Sequence, residues 1–409
     1  MPADRRILLA DADAFFVAVA RMVDPEGAGR APLLIVGGSA ASRGVVCSAS
    51  YETRRYGVRS AMPISRALRL CPNAMCVPVP GKACGVKSGE IRRVLERFAP
   101  MVEGASIDEW YLDMGGTEGV YHHERLAVTA QTIREAVHRE TGLTISIGGG
   151  VNKLVAKLAV ERAKPKFGAN GVHVVAPGTE EQFLRTFALA DLPMVGPKFQ
   201  ERLARLGMVT VPDVLAHDLP TLTQWLGDRE GEWLWARVHG VSDSAVETGG
   251  ESKSISRDET FAEDLSDDRD LERELLALVT RAAFDMRGDG LAARTITVRI
   301  RDMDFRNRSA RRTLIEPVVA DRVIMGVAKQ LFAKLRAARR VPARLLGVAL
   351  SSFAQDPKAD QLALFAASSA PDPLAETERD RLVAHMVDRV RERFGARGIM
   401  PASLARPGR

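Results

Sequence analysis

Cysteine is scarce in this chain: Cys47, Cys71, Cys76 and Cys84 are the four in 409 residues. They form no CxxC pair and have no histidine cluster at zinc-ligand spacing beside them, which argues against a disulfide framework and a structural zinc site. The thiols are expected to be reduced. Long apolar runs are equally absent, since charge breaks each one within about ten residues, and no segment is long enough to span a membrane. Asp11 and Asp13 interrupt the N-terminal stretch where a signal peptide needs unbroken apolar sequence, so the expected location is the cytoplasm. Neither sign of charge dominates. Lys+Arg 58 against Asp+Glu 52 leaves +6, too mild for a histone-like binder, so any nucleic-acid surface must be local. Only 11 of the basic residues are lysine, an arginine bias that decides nothing by itself. There is no GxxxxGK[ST] phosphate loop and no internal repeat of about 20 to 50 residues.

What is present is an alternation of short strands and helices in a chain too long for one core, which at roughly 100 to 200 residues per domain holds two to four. Residues 6–12 (RILLADA), 33–36 (LLIV) and 44–47 (GVVC) read as strands between Gly/Pro-rich turns. A helix from Ser88 carries Ile91, Val94, Leu95 and Phe98 on one face. A hairpin over 101–114 (MVEGASIDEWYLDM) follows, then a helix striped by Leu126, Ala130, Ile133 and Val137. A strand at 143–148, with Gly148 to Gly150 as a turn after it, a helix from Asn152 and a strand at 172–175 close the region. The order strand, helix, two strands, helix, strand is the split βαβ, or ferredoxin-like, arrangement. Residues 180–240 read as short helices and 241–254 as a small, polar linker. A second α+β unit has strand 255–261, helix 268–287, strands 293–301 and 305–314, helix 320–338 and strand 345–351, a βαββαβ order. Residues 353–373 are expected to be disordered, and an amphipathic helix with Leu382, Met386, Val390 and Phe394 at i+4 steps ends the chain.

Carboxylates stand where strands should be buried: Asp11, Asp13 and the pair Asp108 and Glu109. An unpaired carboxylate is costly to desolvate, so each either ends its strand in solvent or meets a cation. If the first strand neighbours the hairpin, Asp11, Asp108 and Glu109 converge, and three carboxylates on one edge would hold two divalent cations. Oxygen ligands alone favour Mg²⁺ or Mn²⁺ over zinc. Adjacent residues on a strand point to opposite faces, so Asp108 and Glu109 share a site only at a bend. Two such cations suit nucleotidyl transfer, and the pattern alone does not separate a polymerase from a nucleotide cyclase.

The runs ADADAFF (10–16), SASYETRRYGVRSAMPISRALRLCP (48–72), SIDEWYLD (106–113) and SIGGGVNKLVAKLAVERAKP (146–165), in this order, resemble the Y-family DNA polymerases, in particular their DinB, or DNA polymerase IV, class. The resemblance implies an α+β multidomain fold with a palm (1–21 and 79–175), fingers (22–78), a helical thumb (176–240), a linker (241–254), a little finger (255–352) and a tail (353–409). It implies a low-fidelity translesion polymerase without proofreading, in a bacterial cytoplasm beside the nucleoid, using two Mg²⁺ per site with Mn²⁺ as a substitute. Asp11, Asp108 and Glu109 match the metal ligands, with the Ala12 carbonyl completing one shell. Tyr51, Arg54 and Lys164 match the triphosphate contacts, Phe16 falls at the steric gate against a ribose 2′-hydroxyl, and Phe15, beside it among the nucleotide residues, is expected to pack its ring in the core. Trp110 replaces a small residue beside the catalytic pair, a departure that bears on template placement or lesion preference; Ala20 replaces a glutamate and Cys84 a tyrosine, and none of these removes a metal ligand.

The thumb segment 192–214 resembles a helix-hairpin-helix that would set Gly196 and Lys198 on a DNA phosphate. Residues 293–312 hold seven arginines, and on extended strands Arg299 and Arg301 share one face and Arg306 and Arg308 the next, a candidate DNA surface. Gln361, Leu362, Leu364 and Phe365 in QLALF resemble the peptide that docks bacterial polymerases on the sliding β clamp. The implied partners are primer-template DNA, dNTPs and the clamp, with no membrane, for a monomer. The competing reading is a catalytically silent scaffold that binds DNA and clamp; retention of the three carboxylates argues against it.

Overall fold

The computed structural model describes residues 5–165, 170–250, 252–355, 374–395 and 398–404. The peptide 361–365 lies outside the described residues. Two units are separable: one is Met1–Ala40 with Gly44–Gly250, the other Ala41–Arg43 with Glu251–Arg409.

The first unit runs β1 (Ile7–Ala12), α1 (Phe15–Val23), β2 (Leu34–Gly37), β3 (Val46–Ala49), α2 (Tyr51–Arg54), α3 (Ile64–Leu70), β4 (Met75–Val77) and α4 (Gly81–Leu95). It continues through β5 (Met101–Gly104), β6 (Glu109–Asp113), α5 (Leu126–Thr141), β7 (Ile145–Gly150), α6 (Lys153–Ala163) and β8 (Val172–Val174). β1 is central in a sheet of order β5-β6-β1-β7-β8, antiparallel to both β6 and β7. Strand alternation sorts its side chains. Leu8, Ala10 and Ala12, with Trp110 and Leu112 of β6, enter a core shared with α1, α4 and α5. Ile7 and Leu9, with Tyr111, face Ala156 and Val160 of α6. Trp110 therefore packs under the sheet, 2% exposed.

Gly148 to Gly150 form the buried end of β7, paired with Ile7 to Leu9, where composition suggested a turn. A Cβ at Gly148 would lie 2.1 Å from the Val160 nitrogen and 2.3 Å from the Ala156 oxygen. Glycine here lets the α6 backbone lie directly on the sheet. α4 begins at Gly81, seven residues before the expected start at Ser88. A small sheet, β3-β2-β4, packs on Ile64 and Ala67 of α3. Beyond β8, α7 (Glu180–Leu184), α8 (Pro197–Arg205), α9 (Val211–Leu215), α10 (Leu219–Leu226) and α11 (Asp228–Val238) close around Leu184, Leu203, Leu222 and Leu234.

The second unit contains β9 (Ser254–Leu265), α12 (Asp268–Gly288), β10 (Leu291–Asp302), β11 (Asn307–Val318), α13 (Asp321–Ala338), β12 (Ala343–Gln355) and α14 (Glu378–Phe394). Its antiparallel sheet has the order β11-β10-β12-β9, with α12 and α13 burying one face. β12 runs past the point at which disorder was expected: Phe353 pairs with Ala293 and Gln355 with Leu291. The terminal helix, expected as part of a loose tail, is docked. Arg287, its side chain 1% exposed, donates from Nε and Nη2 to Asp388 at 2.5 and 2.9 Å and from Nη1 to Asp321 at 2.7 Å. α13 has alanine at its N-cap, which offers no side-chain acceptor. Glu376 supplies one, accepting from the Val319 and Ala320 N–H groups at 2.7 and 2.6 Å.

Candidate active site

Register sets the carboxylates. Asp11 lies opposite Glu109 on one side and Ser146 on the other, which puts Asp11 and Glu109 on the face that α6 covers. Asp108 precedes β6 in the hairpin connection, so the alternation that would separate it from Glu109 does not apply. Its carbonyl accepts from the Ala12 N–H at 2.9 Å and its carboxylate accepts from Ser106 Oγ at 2.5 Å. After β1 the chain reverses through Ala14, a non-glycine residue at φ 44° and ψ 45°, a conformation seldom adopted without need. Asp13, held by its N–H on the Thr144 carbonyl at 3.0 Å, accepts from Ser146 Oγ at 2.7 Å.

The glycine contact at β7 brings α6 down with Lys157, Glu161 and Lys164 at i, i+4 and i+7, one face of a helix and its cap. Lys164 Nζ lies 2.9 Å from Asp11 Oδ2 and 2.6 Å from Glu161 Oε1, and Lys157 pairs with Glu109. Burial pushes the Asp11 carboxyl up to about 7 against the pull of Lys164. Burial also opposes the Lys164 charge, but Asp11 and Glu161 outweigh it and hold that ammonium above the ordinary lysine value. Among the described residues no three His, Cys, Asp or Glu side chains stand close enough together to hold a metal ion. Asp11 and Glu109 are turned onto ammonium groups instead, and Asp108 onto the Ser106 hydroxyl.

Tyr51 and Arg54 reach the same place from α2, whose first turn is capped by Ser50 Oγ accepting from the Thr53 N–H at 3.3 Å. The Arg54 guanidinium lies 5.0 Å from the Tyr51 ring centroid, and its Nε donates to the Ala49 carbonyl at 2.9 Å. Burial and then the Asp13 charge push the Tyr51 hydroxyl up to about 12, with Arg54, Lys164 and Asp11 also within electrostatic reach. Asp11, Asp13, Tyr51, Arg54 and Lys164 thus meet at one edge of the sheet. Phe16 is half-buried at that edge, edge-on to Phe15 with ring centroids 5.6 Å apart. Phe15 itself is 2% exposed and its ring belongs to the core.

In the helical segment Gly196 is the N-cap of α8, with Pro197 at the first position and Lys198 exposed. In the second unit the outer sheet face carries Arg299 and Arg301, and Arg306 is exposed in the turn at 303–306. Arg299 pairs with Asp258 at 2.5 Å across Gly347, where a Cβ would meet Asp258 Oδ1 at 1.7 Å. Arg308 does not belong to that face. It lies opposite Ile300, on the helix side, and donates from Nε and Nη2 to the fully buried Asp302 at 2.9 and 2.7 Å.

Residues 10–161 match the family model described as IMS, impB/mucB/samB family, and residues 252–364 that described as the C-terminal domain of the same family. The fold is similar to that of a Y-family DNA polymerase chimera, Dbh-Dpo4(243-245)-Dbh, with a TM-score of 0.73 at 24% identity over 85% of this chain and 98% of that one. DinB from Sulfolobus solfataricus gives 0.57 at 26% identity over the same shares. A DNA polymerase IV from Gluconobacter oxydans (strain 621H) is 35% identical over 363 residues, 88% of this chain and 99% of the relative. One from Halorhodospira halophila (strain DSM 244 / SL1) is 36% identical over 366 residues, 89% and 99%. The chain belongs to the Y-family DNA polymerases, in their DNA polymerase IV class.

As a member of that class it is a DNA-directed DNA polymerase with palm, thumb and little-finger parts. The five-stranded sheet is the part that carries the carboxylates of this polymerase. Sequence reasoning missed Lys157, the Asp13–Ser146 bond and Ser106. Lys157 had a signal, its spacing to Glu161 and Lys164, once a helix from Asn152 was expected. The serine bonds had none, because each depends on a pairing across strands or a turn.

Proposed function

We propose that this polymerase extends a primer 3′-hydroxyl along a damaged template at low fidelity and without proofreading. The observation that carries the reading is the convergence of Asp11 and Glu109 with Tyr51, Arg54 and Lys164 at one edge. Asp11, Asp108, Glu109 and the Ala12 carbonyl are the residues that would hold two divalent cations. An all-oxygen set fits Mg²⁺, with Mn²⁺ as substitute, and the lysines on Asp11 and Glu109 mark the same demand for positive charge. Bound there, the cations would ease attack by the hydroxyl and neutralise the leaving pyrophosphate.

The protein's own groups do the rest. Arg54 offers a fork of donors to triphosphate oxygens, and Lys164, released from Asp11, a point charge. The Tyr51 hydroxyl stays protonated and can donate. The Phe16 ring fills the space of a ribose 2′-hydroxyl. Gly196 and Lys198 would meet a DNA phosphate through the α8 N-terminus, and Arg299, Arg301 and Arg306 a second stretch of backbone. Residues 361–365 would dock on the sliding β clamp, for a monomer working beside the nucleoid. In this reading palm is 1–21 and 79–175, fingers 22–78, thumb 176–240 and little finger 255–352.

Primer extension with Mg²⁺ and the four dNTPs tests the proposal, wild type beside Asp108→Ala. Extension by wild type alone is expected. No extension by either would favour the catalytically silent scaffold.

A further inference from the structure

A cavity of about 570 Å³ opens between α8 and the start of α11, in the helical part of the first unit. Its walls mix rings with cations. Phe199 and Trp233 set their ring centroids 6.2 Å apart at 57°, and Met194 adds a thioether. Lys198, Arg202 and Arg229 bring charge, and Glu230 answers only one of them: Arg202 donates to Glu230 at 2.5 Å and to the Leu226 carbonyl at 2.9 Å. Among the described residues Lys198 and Arg229 have no ion-pair partner, and both are exposed. Glu201, Asp228 and Glu232 lie on the same helices but do not line the cavity.

Met194 is held there at a conformational cost. The Val195 N–H closes a turn on the Leu192 carbonyl at 3.1 Å, with Pro193 and Met194 between them. Met194 has φ 71°, where such a turn ordinarily takes glycine, and is 80% exposed, so no packing within the chain repays the strain. Rings beside unpaired cations are what a nucleotide needs, a π face for the base and donors for phosphate. The volume lies in the range of small-ligand sites and suits one nucleotide rather than a duplex. Two unpaired cations match the phosphodiesters that flank one nucleotide and fall short of a triphosphate. Gly196, the α8 N-cap between Met194 and Lys198, is also where a DNA phosphate is placed in the proposed function, which favours a nucleotide of a DNA strand over a free one.

We infer that this cavity takes one unpaired nucleotide of the DNA strand held at the α8 N-terminus, its base against Trp233 and Met194 and its phosphates on Lys198 and Arg229. The inference rests on that N-terminus being a DNA contact, and the test separates the two. The full-length chain is titrated with two primer-templates that differ by a single unpaired 2-aminopurine in the duplex. Wild type should bind the bulged DNA at least about fivefold tighter than the paired one, the lower end of what stacking one base contributes, and should quench the 2-aminopurine. Trp233→Leu should abolish the quenching and bring the two affinities within about twofold. Arg229→Ala, a change at an exposed position, should lower the preference at least about twofold. Both variants should keep wild-type affinity for paired DNA, primer extension on it and far-UV circular dichroism. Equal wild-type affinities, or a preference that survives both substitutions, would overturn the inference. Displacement of the bulge by an equal concentration of dAMP would do the same, by making the cavity a free-nucleotide site. Paired-DNA affinity unchanged in Lys198→Ala would contradict the α8 N-terminus as a DNA contact, and the inference with it.

Discussion

Asp11 is a carboxylate that the fold first desolvates and then partners. It sits mid-sheet opposite Glu109 because β1 and β6 pair in that register, and Lys164 answers the resulting demand for charge. Phe16 differs from Phe15 by one position on α1, yet one ring is half-buried and the other is core. Replacing Phe16 by Ala should raise ribonucleotide incorporation at least about tenfold, since one missing ring removes roughly the steric discrimination of a pocket wall. Unchanged sugar selection in single-nucleotide assays would refute the gate. Arg308 is a stability residue. Burial works to raise Asp302, but the Arg308 and Arg339 bonds outweigh it and hold that carboxyl below the ordinary aspartate value. A carboxyl depressed on folding contributes stability above its unfolded value of about 3.9, and the contribution is lost as pH falls through the folded value. Arg308→Ala should therefore cost about 3 kcal/mol at neutral pH, with Arg339 softening the loss, and should flatten the acid dependence of the unfolding midpoint. An unchanged midpoint in denaturant titrations would contradict this.

At the scale of elements, the palm strands were legible because acids interrupting apolar runs and the 3.6-residue stripes are strong signals. The sequence pattern did not reveal that three glycines belong to β7, since glycine clusters usually mark turns and only a packed helix explains them. Gly148→Ala should push α6 away from the sheet, destabilise the first unit by about 1–3 kcal/mol and lower incorporation by displacing Lys157 and Lys164. Wild-type stability and rate in the variant would remove α6 from the account. The arginine misreading is a matter of parity. The hairpin turn at 303–306 sets Ile300 opposite Arg308, so Arg308 shares a face with the core while Arg299 and Arg301 do not. Register of that kind depends on turn geometry that composition does not encode. α14 escaped for a related reason: its apolar stripe implied a buried face, whereas a salt-bridged face does the docking.

For the whole molecule, the mild excess of +6 resolves into local groups, lysines of α6 beside Asp11 and Glu109 and arginines on the outer sheet of the second unit. The slope of log affinity for primer-template DNA against log salt should shrink by about 0.9 in Arg301→Ala, and an unchanged slope would take that residue off the DNA. The central claim is that Asp11 and Glu109, now facing lysines, belong to the machinery that transfers a nucleotide. Single-turnover incorporation of one dNTP with Mg²⁺, wild type beside Asp11→Asn, tests it most directly. A loss of roughly 10³-fold or more with DNA affinity retained is predicted, and incorporation within about tenfold of wild type would contradict it.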